Sequence, residues 1–418
     1  MKIEVSDKHV GLRIALTAVA LVIAVVAFSI AIVNMGKKSP GYQLIEAKTD
    51  KEALTYNNAV SFRYWFDGTS NEIKRGINGL VLEYTPILSA AYKQTDHQNV
   101  YSGQVSIGTV NQHPGEVVNV SPELYAILKD AYAKTLEGRG YNMFAGALYA
   151  EWKSIQILDD PTEFDPANNG FVASRLHEIA AVVNDLSNFS LEFLDDSTCA
   201  VRFSTASGYD DFCREYEITA YALDLNNLRD AYMLSMMGEA LVAAGYQLGH
   251  LTTAEGMALN TSPRGTLSYD MHTWEYDKDT VYASVELDGV FSAAAFTAYG
   301  MGSDYGYVLE ASADSAASTG SNGIQRDPTA STGSNGIQQD PTASNRLYRH
   351  LYFDVRTGDF TDVLMSSTVI SRDMDIVENA YQTIILNTLK TEKDVSDYAA
   401  NLEKAGKLVS YVFQSTQN

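Results

Sequence analysis

The amino-acid sequence predicts an α+β fold, because helix and strand patterns are mixed along the chain without regular alternation. Its 418 residues are enough for one large domain or two ordinary ones. Hydrophobic residues make up 45% of the chain and charged residues 20%, which is typical of a packed globular protein rather than a disordered one.

The N-terminal region contains an uncharged run of twenty residues at 14–33. A transmembrane helix needs about 20 apolar residues to cross ~30 Å of hydrocarbon. No A-x-A cleavage site follows the run, and basic residues on both sides leave the positive-inside rule ambiguous. The default is a cell-membrane protein with residues 1–13 in the cytoplasm, a single anchor at 14–33, a tether at 34–55 and an extracytoplasmic domain at 56–418.

The charge of the chain restricts its partners. The formal net charge is −22, and a phosphate backbone is bound through Lys and Arg. We therefore expect no nucleic-acid partner. An acidic surface also argues against flat adsorption to anionic lipid, so the membrane contact is expected through the N-terminal helix alone.

Periodic patterns predict the elements of the domain. Ser121 precedes Pro122 and Glu123, which is typical of a helix N-terminus capped by Ser121. Helices are expected at 71–92, 121–136, 143–152, 173–186, 232–244, 375–390 and 395–405. Strands are expected at 59–66, 191–193, 200–203, 216–225, 272–276, 281–287, 291–298, 348–355 and 408–413.

A duplicated segment interrupts this pattern. Residues 318–330 (STGSNGIQRDPTA) are repeated at 331–343 (STGSNGIQQDPTA), with Arg326 changed to Gln339. Small and polar residues of this kind cannot bury enough apolar surface to become ordered. We expect a flexible surface insertion at 311–345.

The two cysteines, Cys199 and Cys213, lie in a predicted hairpin of residues 198–204 and 212–219. If the turn centres near Ala206, the cysteines face each other, and an oxidising exterior would permit a disulfide. Two free buried thiols are the alternative.

The segment LDLNNLRDAY at 223–232 joins a predicted strand to a predicted helix. Such a turn can hold a phosphate with its backbone N–H groups and the positive end of the helix. Glycines let the backbone approach the anion, and a lysine adds charge. Here Asn226 and Asn227 occupy the positions of the glycines, and Asp230 occupies that of the lysine.

The frame around this turn resembles the ApbE family of FAD:protein FMN transferases, whose pattern here reads LDLGGIAKGY. Other blocks resemble the family in the same order, namely SIGTVN at 106–111, VNVSPELYAIL at 118–128, YNMFAGALYAEW at 141–152, DVRTG at 354–358 and NAYQTI at 379–384. The resemblance covers about residues 55–415. It implies mixed, mostly antiparallel sheets flanked by helices.

The resemblance also implies FAD and Mg²⁺ as cofactors, since family members transfer FMN from FAD to a threonine of a partner protein with the help of Mg²⁺. The metal ligands would be Asn379 and Thr383, four residues apart on one helix face, with a backbone carbonyl at Arg229. An Asn oxygen adds no negative charge, whereas Mg²⁺ usually binds at least one carboxylate. The implied flavin-nucleotide residues are Asp224, Asn226, Asn227, Asp354 and Arg356.

Purely structural roles for these residues remain open as alternatives. Asp354 and Arg356 can form a turn-stabilising pair, and Thr383 can be a helix-packing residue. Asp224 can likewise be structural.

Three functions are consistent with the sequence. The first is a catalytically inactive ApbE-like binding or scaffold module, with a protein partner in a flavin-dependent electron-transfer system. The second is an active, divergent Mg²⁺-dependent transferase in which Glu378, Asp375 or Asp373 supplies the missing carboxylate. The third is a structural surface protein whose repeated loop makes the contacts, with Thr332 as a flavin acceptor in one variant.

Overall fold

The structure is a computed structural model that describes residues 37–52, 59–254, 256–275, 278–297, 307–310, 346–350 and 352–414. The transmembrane segment expected at 14–33 and the insertion expected at 311–345 lie outside these residues. In the part of the chain that is described, no helix has the length and apolar character needed to cross a membrane.

The chain divides into two compact units. Of the described residues, 37–43 and 65–80 belong to the smaller unit and the others to the larger one. Within the smaller unit, Trp65 packs edge-on against Tyr42 with 5.4 Å between ring centroids. All the candidate site residues lie in the larger unit.

The described helices and strands are mixed along the chain. The helices are α1 (Ser70–Gln94), α2 (Ile107–Gln112), α3 (Pro122–Glu137), α4 (Gly146–Gln156), α5 (Gly170–Asn184), α6 (Ser207–Glu215), α7 (Arg229–Ala243), α8 (Ile376–Asn387) and α9 (Glu392–Lys404). The strands are β1 (Gly41–Ile45), β2 (Val60–Phe66), β3 (Val117–Asn119), β4 (Phe189–Asp195), β5 (Ala200–Thr205), β6 (Gly249–Thr253), β7 (Ala258–Asn260), β8 (Thr266–Glu275), β9 (Lys278–Asp288), β10 (Phe291–Thr297), β11 (Tyr307–Glu310), β12 (Arg346–Arg349), β13 (Phe353–Asp354), β14 (Asp359–Phe360), β15 (Leu364–Ser371) and β16 (Leu408–Phe413).

The largest sheet has seven strands in the order β1-β2-β6-β7-β10-β15-β16, and its neighbours from β2 to β16 run antiparallel. A second antiparallel sheet has the order β3-β5-β4. The strands β8 and β9 form a long hairpin, β13 and β14 form a short one, and β11 pairs antiparallel with β12. The predicted α+β class, with antiparallel sheets flanked by helices, is therefore confirmed.

Helix α8 packs on strands β10 and β15, the fifth and sixth strands of the large sheet. Strand β15 is buried along most of its length, because α8 packs on it and strand β8 also contacts it. An apolar cluster holds these layers together, and it comprises Leu364, Val369, Leu386, Val395, Ala399 and Leu402. Burying each Leu or Val side chain of this cluster contributes about 1.5–3 kcal/mol to folding.

The strand predicted at 216–225 is wrong. Helix α6 replaces the expected hairpin, and the following segment is irregular although Leu223 and Leu225 are buried. The side chain of Asn111 takes the place of a neighbouring strand there. It donates to the carbonyl of Leu223 at 2.8 Å and accepts from the Leu223 N–H at 3.3 Å. An apolar run bonded in this way satisfies its backbone without joining a sheet.

The predicted disulfide depends on the same hairpin. Cys199 lies in the turn between β4 and β5, whereas Cys213 lies on α6, and both thiols are free in the structure. The alternative of two free thiols therefore describes the structure, although both side chains are only partly buried.

Helix α4 begins at Gly146, where the backbone of residues 221–222 lies in close contact with the glycine. The Gly146 N–H donates to the Ala222 carbonyl at 3.2 Å. A Cβ atom at Gly146 would lie 2.1 Å from the Tyr221 carbonyl oxygen, far inside van der Waals contact. Only glycine permits this approach, which fixes the start of α4 against residues 220–224.

We predict that Gly146→Ala lowers the free energy of unfolding by at least about 3 kcal/mol, the upper end of the range for overpacking. The matched control is Gly170→Ala at the start of α5, where an added Cβ would have no atom within 4 Å. The control should change stability by less than about 1 kcal/mol. Urea unfolding of both variants measures the difference, and equal stabilities would contradict the close approach.

His350 generates a prediction of pH dependence. It is buried, and the Trp152 indole N–H donates to its carbonyl at 3.0 Å. Burial, helped by the charge of Arg349, lowers the pKa of the His350 imidazole to about 3. The unfolded chain takes up this proton near pH 6.5, so protonation favours unfolding at lower pH.

This histidine should therefore leave stability unaffected above pH 6.5. Between pH 6.5 and about 3 it should lower the unfolding free energy by up to about 1.4 kcal/mol per pH unit. The variant His350→Asn keeps an acceptor for the Tyr352 N–H but cannot be protonated. Urea unfolding at pH 7 and pH 5 should show a smaller loss in the variant, and an equal loss would contradict the assignment.

Candidate functional site

The sequence-predicted phosphate turn is a short 3₁₀ turn at Asn226–Leu228 that leads into α7. Asn226 adopts a positive φ of 50°, a conformation that Asn tolerates better than most residues. Its side-chain amide donates to the carbonyl of Asp224 at 2.9 Å and to that of Asn142 at 3.2 Å. The side chain therefore closes the turn on itself.

Three backbone N–H groups of this turn are also bonded within the chain. The Asn226 N–H donates to the Asp224 carboxylate at 2.9 Å, and the Leu228 N–H donates to the Leu225 carbonyl at 3.1 Å. The Arg229 N–H donates to the Asn226 carbonyl. A phosphate site needs such donors free to point at the anion. Here a phosphate would have to break bonds that the turn already makes.

The charged residues that follow the turn do not replace a phosphate-binding lysine. The Arg229 guanidinium lies over the Tyr92 ring, 4.8 Å from its centroid, and donates to the Tyr92 carbonyl at 3.4 Å. Burial raises the pKa of the Asp230 carboxyl, although the charges of Arg229 and Lys153 act in the opposite direction. An ionised Asp230 would repel a phosphate, and a neutral one would give no attraction.

A cavity of about 440 Å³ lies beside the turn. Asp224 is one of its lining residues, with His97, Gly146, Tyr149, Lys153 and Tyr221 among the others. Asp224 is the one predicted nucleotide residue that lines it; the Asn227 amide donates instead to the Tyr149 hydroxyl at 3.0 Å. The cavity is large enough for a small ligand.

Asp224 faces His97 within this cavity. The His97 Nδ1 lies 3.3 Å from the Asp224 carboxylate, but the two are not aligned as a hydrogen bond. Burial lowers the pKa of His97, and the nearby Asp224 charge only partly opposes this effect. His97 is therefore neutral at pH 7 and adds no positive charge for an anionic ligand.

Asp354 and Arg356 contact each other rather than the cavity. The Arg356 guanidinium donates to both carboxylate oxygens of Asp354, at 2.8 and 2.9 Å. The Asp354 carbonyl accepts the N–H groups of Thr357 and Gly358, which closes the turn between β13 and β14. These are the contacts of a turn-stabilising pair.

The proposed metal ligands lie on α8, where Asn379 is fully buried. Its amide nitrogen faces three oxygens: the Ser292 hydroxyl at 2.9 Å, the Ser292 carbonyl at 3.1 Å and the Ser371 hydroxyl at 2.8 Å. Its oxygen accepts from the Lys407 ammonium at 2.6 Å. The Thr383 hydroxyl donates to the Asn379 carbonyl at 2.8 Å, as expected of a helix-packing threonine.

These residues do not fit a Mg²⁺ ion. The one side-chain oxygen that Asn379 offers is bonded to a cation of the chain itself, and the Thr383 hydroxyl is used within the helix. Within the described residues, no group of three or more His, Cys, Asp or Glu side chains is arranged to hold a metal.

The three carboxylates considered as replacement ligands have other partners. Glu378 accepts from Gln382 at 2.5 Å and lies 3.7 Å from Lys134. Asp375 caps α8 by accepting the Glu378 N–H. Asp373 accepts from the Ser371 hydroxyl at 2.6 Å and is therefore the one linked to Asn379.

The charge near Asn379 is balanced by the chain. Burial alone would raise the pKa of Asp373, but the bonds from Ser371 and from the Asp375 N–H, with the charge of Lys407, hold that pKa below its ordinary value. Asp373 is therefore ionised at pH 7, and Lys407 is the cation facing it.

Sequence reasoning missed three functional positions: Gly146, His97 and Lys407. Each contacts a partner at least 28 residues away, so no helix or strand period connects them. The glycine carried the best signal, because Gly146 lies within a block that resembles the ApbE family.

Comparison with known proteins identifies the fold. No family model and no curated protein sequence matches the chain. The ApbE protein from Thermotoga maritima superposes with a TM-score of 0.56 at 13% identity, over 90% of this chain and 96% of that one. The chain has an ApbE-like fold. The apo flavinyl transferase ApbE from Pseudomonas stutzeri gives a TM-score of 0.50 at 14% identity, over 90% of this chain and 93% of that one.

The resemblance to the ApbE family that the sequence blocks indicated is thus confirmed at the level of the fold. At 13–14% identity the similarity carries the fold alone. The site must therefore be judged from the contacts of this chain's own residues.

We predict that Asn226→Ala destabilises the protein by at least about 1 kcal/mol, because Ala at positive φ is strained and loses both side-chain hydrogen bonds. The control is Asn226→Gly, which loses the same bonds without the strain and should cost less. Urea unfolding compares the two variants. An Ala variant as stable as the Gly variant would show that the positive φ is not maintained.

Proposed function

We propose that the chain is a membrane-anchored, extracytoplasmic binding or scaffold module built on an ApbE-like fold and lacking FMN-transferase activity. Its partner would be a protein of a flavin-dependent electron-transfer system. The anchor rests on the uncharged run at 14–33 and the partner on the ApbE-like fold. The inactivity rests on the contacts of the turn.

The observation that carries the proposal is the closed phosphate turn. Three of its backbone N–H groups, those of Asn226, Leu228 and Arg229, donate to oxygens of the turn itself. Catalysis of phosphoryl transfer depends on positioning and on neutralising the phosphate charge. A turn whose three N–H groups are already bonded, and which carries Asp230 in place of a lysine, is poorly suited to either task.

The cavity supports a binding role. It is about 440 Å³ in volume, and three carboxylates, Glu151, Glu217 and Asp224, line it with one lysine, Lys153. Glu151 is neutralised by Arg175, whose Nε lies 2.6 Å away. The remaining lining is therefore net negative with His97 neutral, which disfavours a pyrophosphate such as that of FAD.

The test is titration of FAD into the purified full chain by isothermal calorimetry, with and without Mg²⁺. We expect no saturable heat in either case, and no release of AMP when a threonine-containing acceptor protein is added. The flavinyl transferase of Pseudomonas stutzeri serves as the positive control. Micromolar or tighter binding that requires Mg²⁺, coupled to AMP release, would show an active transferase instead.

A reversal variant sharpens the same test. Asn226→Gly with Asn227→Gly and Asp230→Lys restores the backbone freedom and the positive charge of the turn. If the turn is what prevents nucleotide binding, this variant should bind FAD at least about tenfold more tightly than the wild-type chain, which corresponds to ~1.4 kcal/mol. Equal affinities would place the obstacle elsewhere.

A further inference from the structure

The position of Lys407 is fixed by the end of helix α9. The Gly406 N–H donates to the Glu403 carbonyl at 2.9 Å, and the Lys407 N–H donates to the Leu402 carbonyl at 3.1 Å. With Gly406 at a φ of 88°, this is the Schellman motif that ends many helices. The next residue, Leu408, pairs with Ile370 on β15, so the backbone of Lys407 is held on both sides.

The amide of Asn379 can have only one orientation in these surroundings. Its nitrogen faces three oxygens, from Ser292 and Ser371, and its oxygen faces the Lys407 ammonium. The reversed orientation would place the amide NH₂ against an ammonium group that has no acceptor. The Lys407–Asn379 contact is therefore a directed, charge-assisted hydrogen bond.

The contact continues to a carboxylate. The Ser371 hydroxyl accepts from Asn379 at 2.8 Å and lies 2.6 Å from the Asp373 carboxylate, to which it donates. Lys407, Asn379, Ser371 and Asp373 thus form one chain of polar groups with a cation at one end and an anion at the other. Asn379 itself is buried, where unpaired polar groups are costly.

We propose that the Lys407 ammonium takes the structural place of a divalent cation in this fold. An Asp with Mg²⁺ carries a net charge of +1, and Asn379 with the Lys407 ammonium carries the same charge. The replacement of Asp by Asn is thus matched by the replacement of the metal ion by a lysine side chain. The cation that joins helix α8 to the sheet is thus a side chain of the chain itself, and the domain needs no metal.

The first test uses the wild-type full chain and needs no substitution. Calorimetric titration with MgCl₂ should show no saturable binding, and the thermal midpoint should be the same in millimolar Mg²⁺ and in EDTA. Any ion that bound the folded state alone would raise that midpoint by mass action. Saturable binding with a higher midpoint in Mg²⁺ would overturn the proposal.

The second test removes the ammonium. Lys407→Met keeps most of the aliphatic length and leaves the Asn379 oxygen without its donor, so the midpoint should fall by at least about 3 °C. The control is Lys404→Met on the same helix end, where the side chain is exposed, and it should leave the midpoint unchanged. Equal midpoints in the two variants would overturn the structural role of the ammonium.

The third test restores the metal chemistry. Asn379→Asp combined with Lys407→Met should give a protein whose midpoint rises in Mg²⁺ and falls again in EDTA, whereas Lys407→Met alone should respond less. A folded double variant without this response would overturn the equivalence of lysine and metal. If the double variant does not fold, the wild-type titration and the Lys407→Met midpoint still decide the proposal.

This inference does not rest on the proposed function. FAD binding by the wild-type chain without Mg²⁺ would contradict the closed turn and leave Lys407 in its role. Conversely, Mg²⁺ binding without FAD binding would overturn the lysine replacement and leave the inactive turn in place.

Discussion

The packing of helix α8 against the large sheet depends on the contacts of the buried Asn379 amide. Its partners Ser292 and Ser371 belong to β10 and β15, and Lys407 precedes β16. One side chain on α8 therefore holds three neighbouring strand segments at fixed positions. Because unsatisfied polar groups are costly in a core, these partners must all be present together. The amide thus specifies the register at which the helix lies on the sheet.

The sequence predicted the elements that local signals determine. Ser121 accepts the Leu124 N–H at 3.1 Å as the cap of α3, and β16 has the predicted bounds 408–413. Capping and alternation act within a few residues, so they can be recognised without knowing the fold. The prediction for 216–225 failed because the backbone of Leu223 bonds to a distant side chain, Asn111, instead of to a strand, and no local pattern reveals that contact.

The candidate site was predictable in outline only. The identity of Asn226 and Asp230 indicated that the turn lacks the glycines and the lysine that would favour a phosphate. It could not show that Asn226 closes the turn through its own amide, or that Lys407 reaches Asn379 across 28 residues. Both facts depend on which side chains the completed fold brings together. The turn pairing of Asp354 and Arg356 was easier, since the residues are two apart.

The turn at 226–228 and the Asn379 amide can be explained in the same physical terms. In a ligand-dependent fold, backbone donors and side-chain oxygens near the site must stay free until the ligand satisfies them. Here N–H groups of the turn donate to Asp224 and Leu225, and the Asn379 oxygen accepts from the Lys407 ammonium. Each internal bond stabilises the ligand-free chain and opposes the ligand by the same amount, because binding must break it. At both positions, therefore, a ligand would have to compete with contacts that the chain makes within itself.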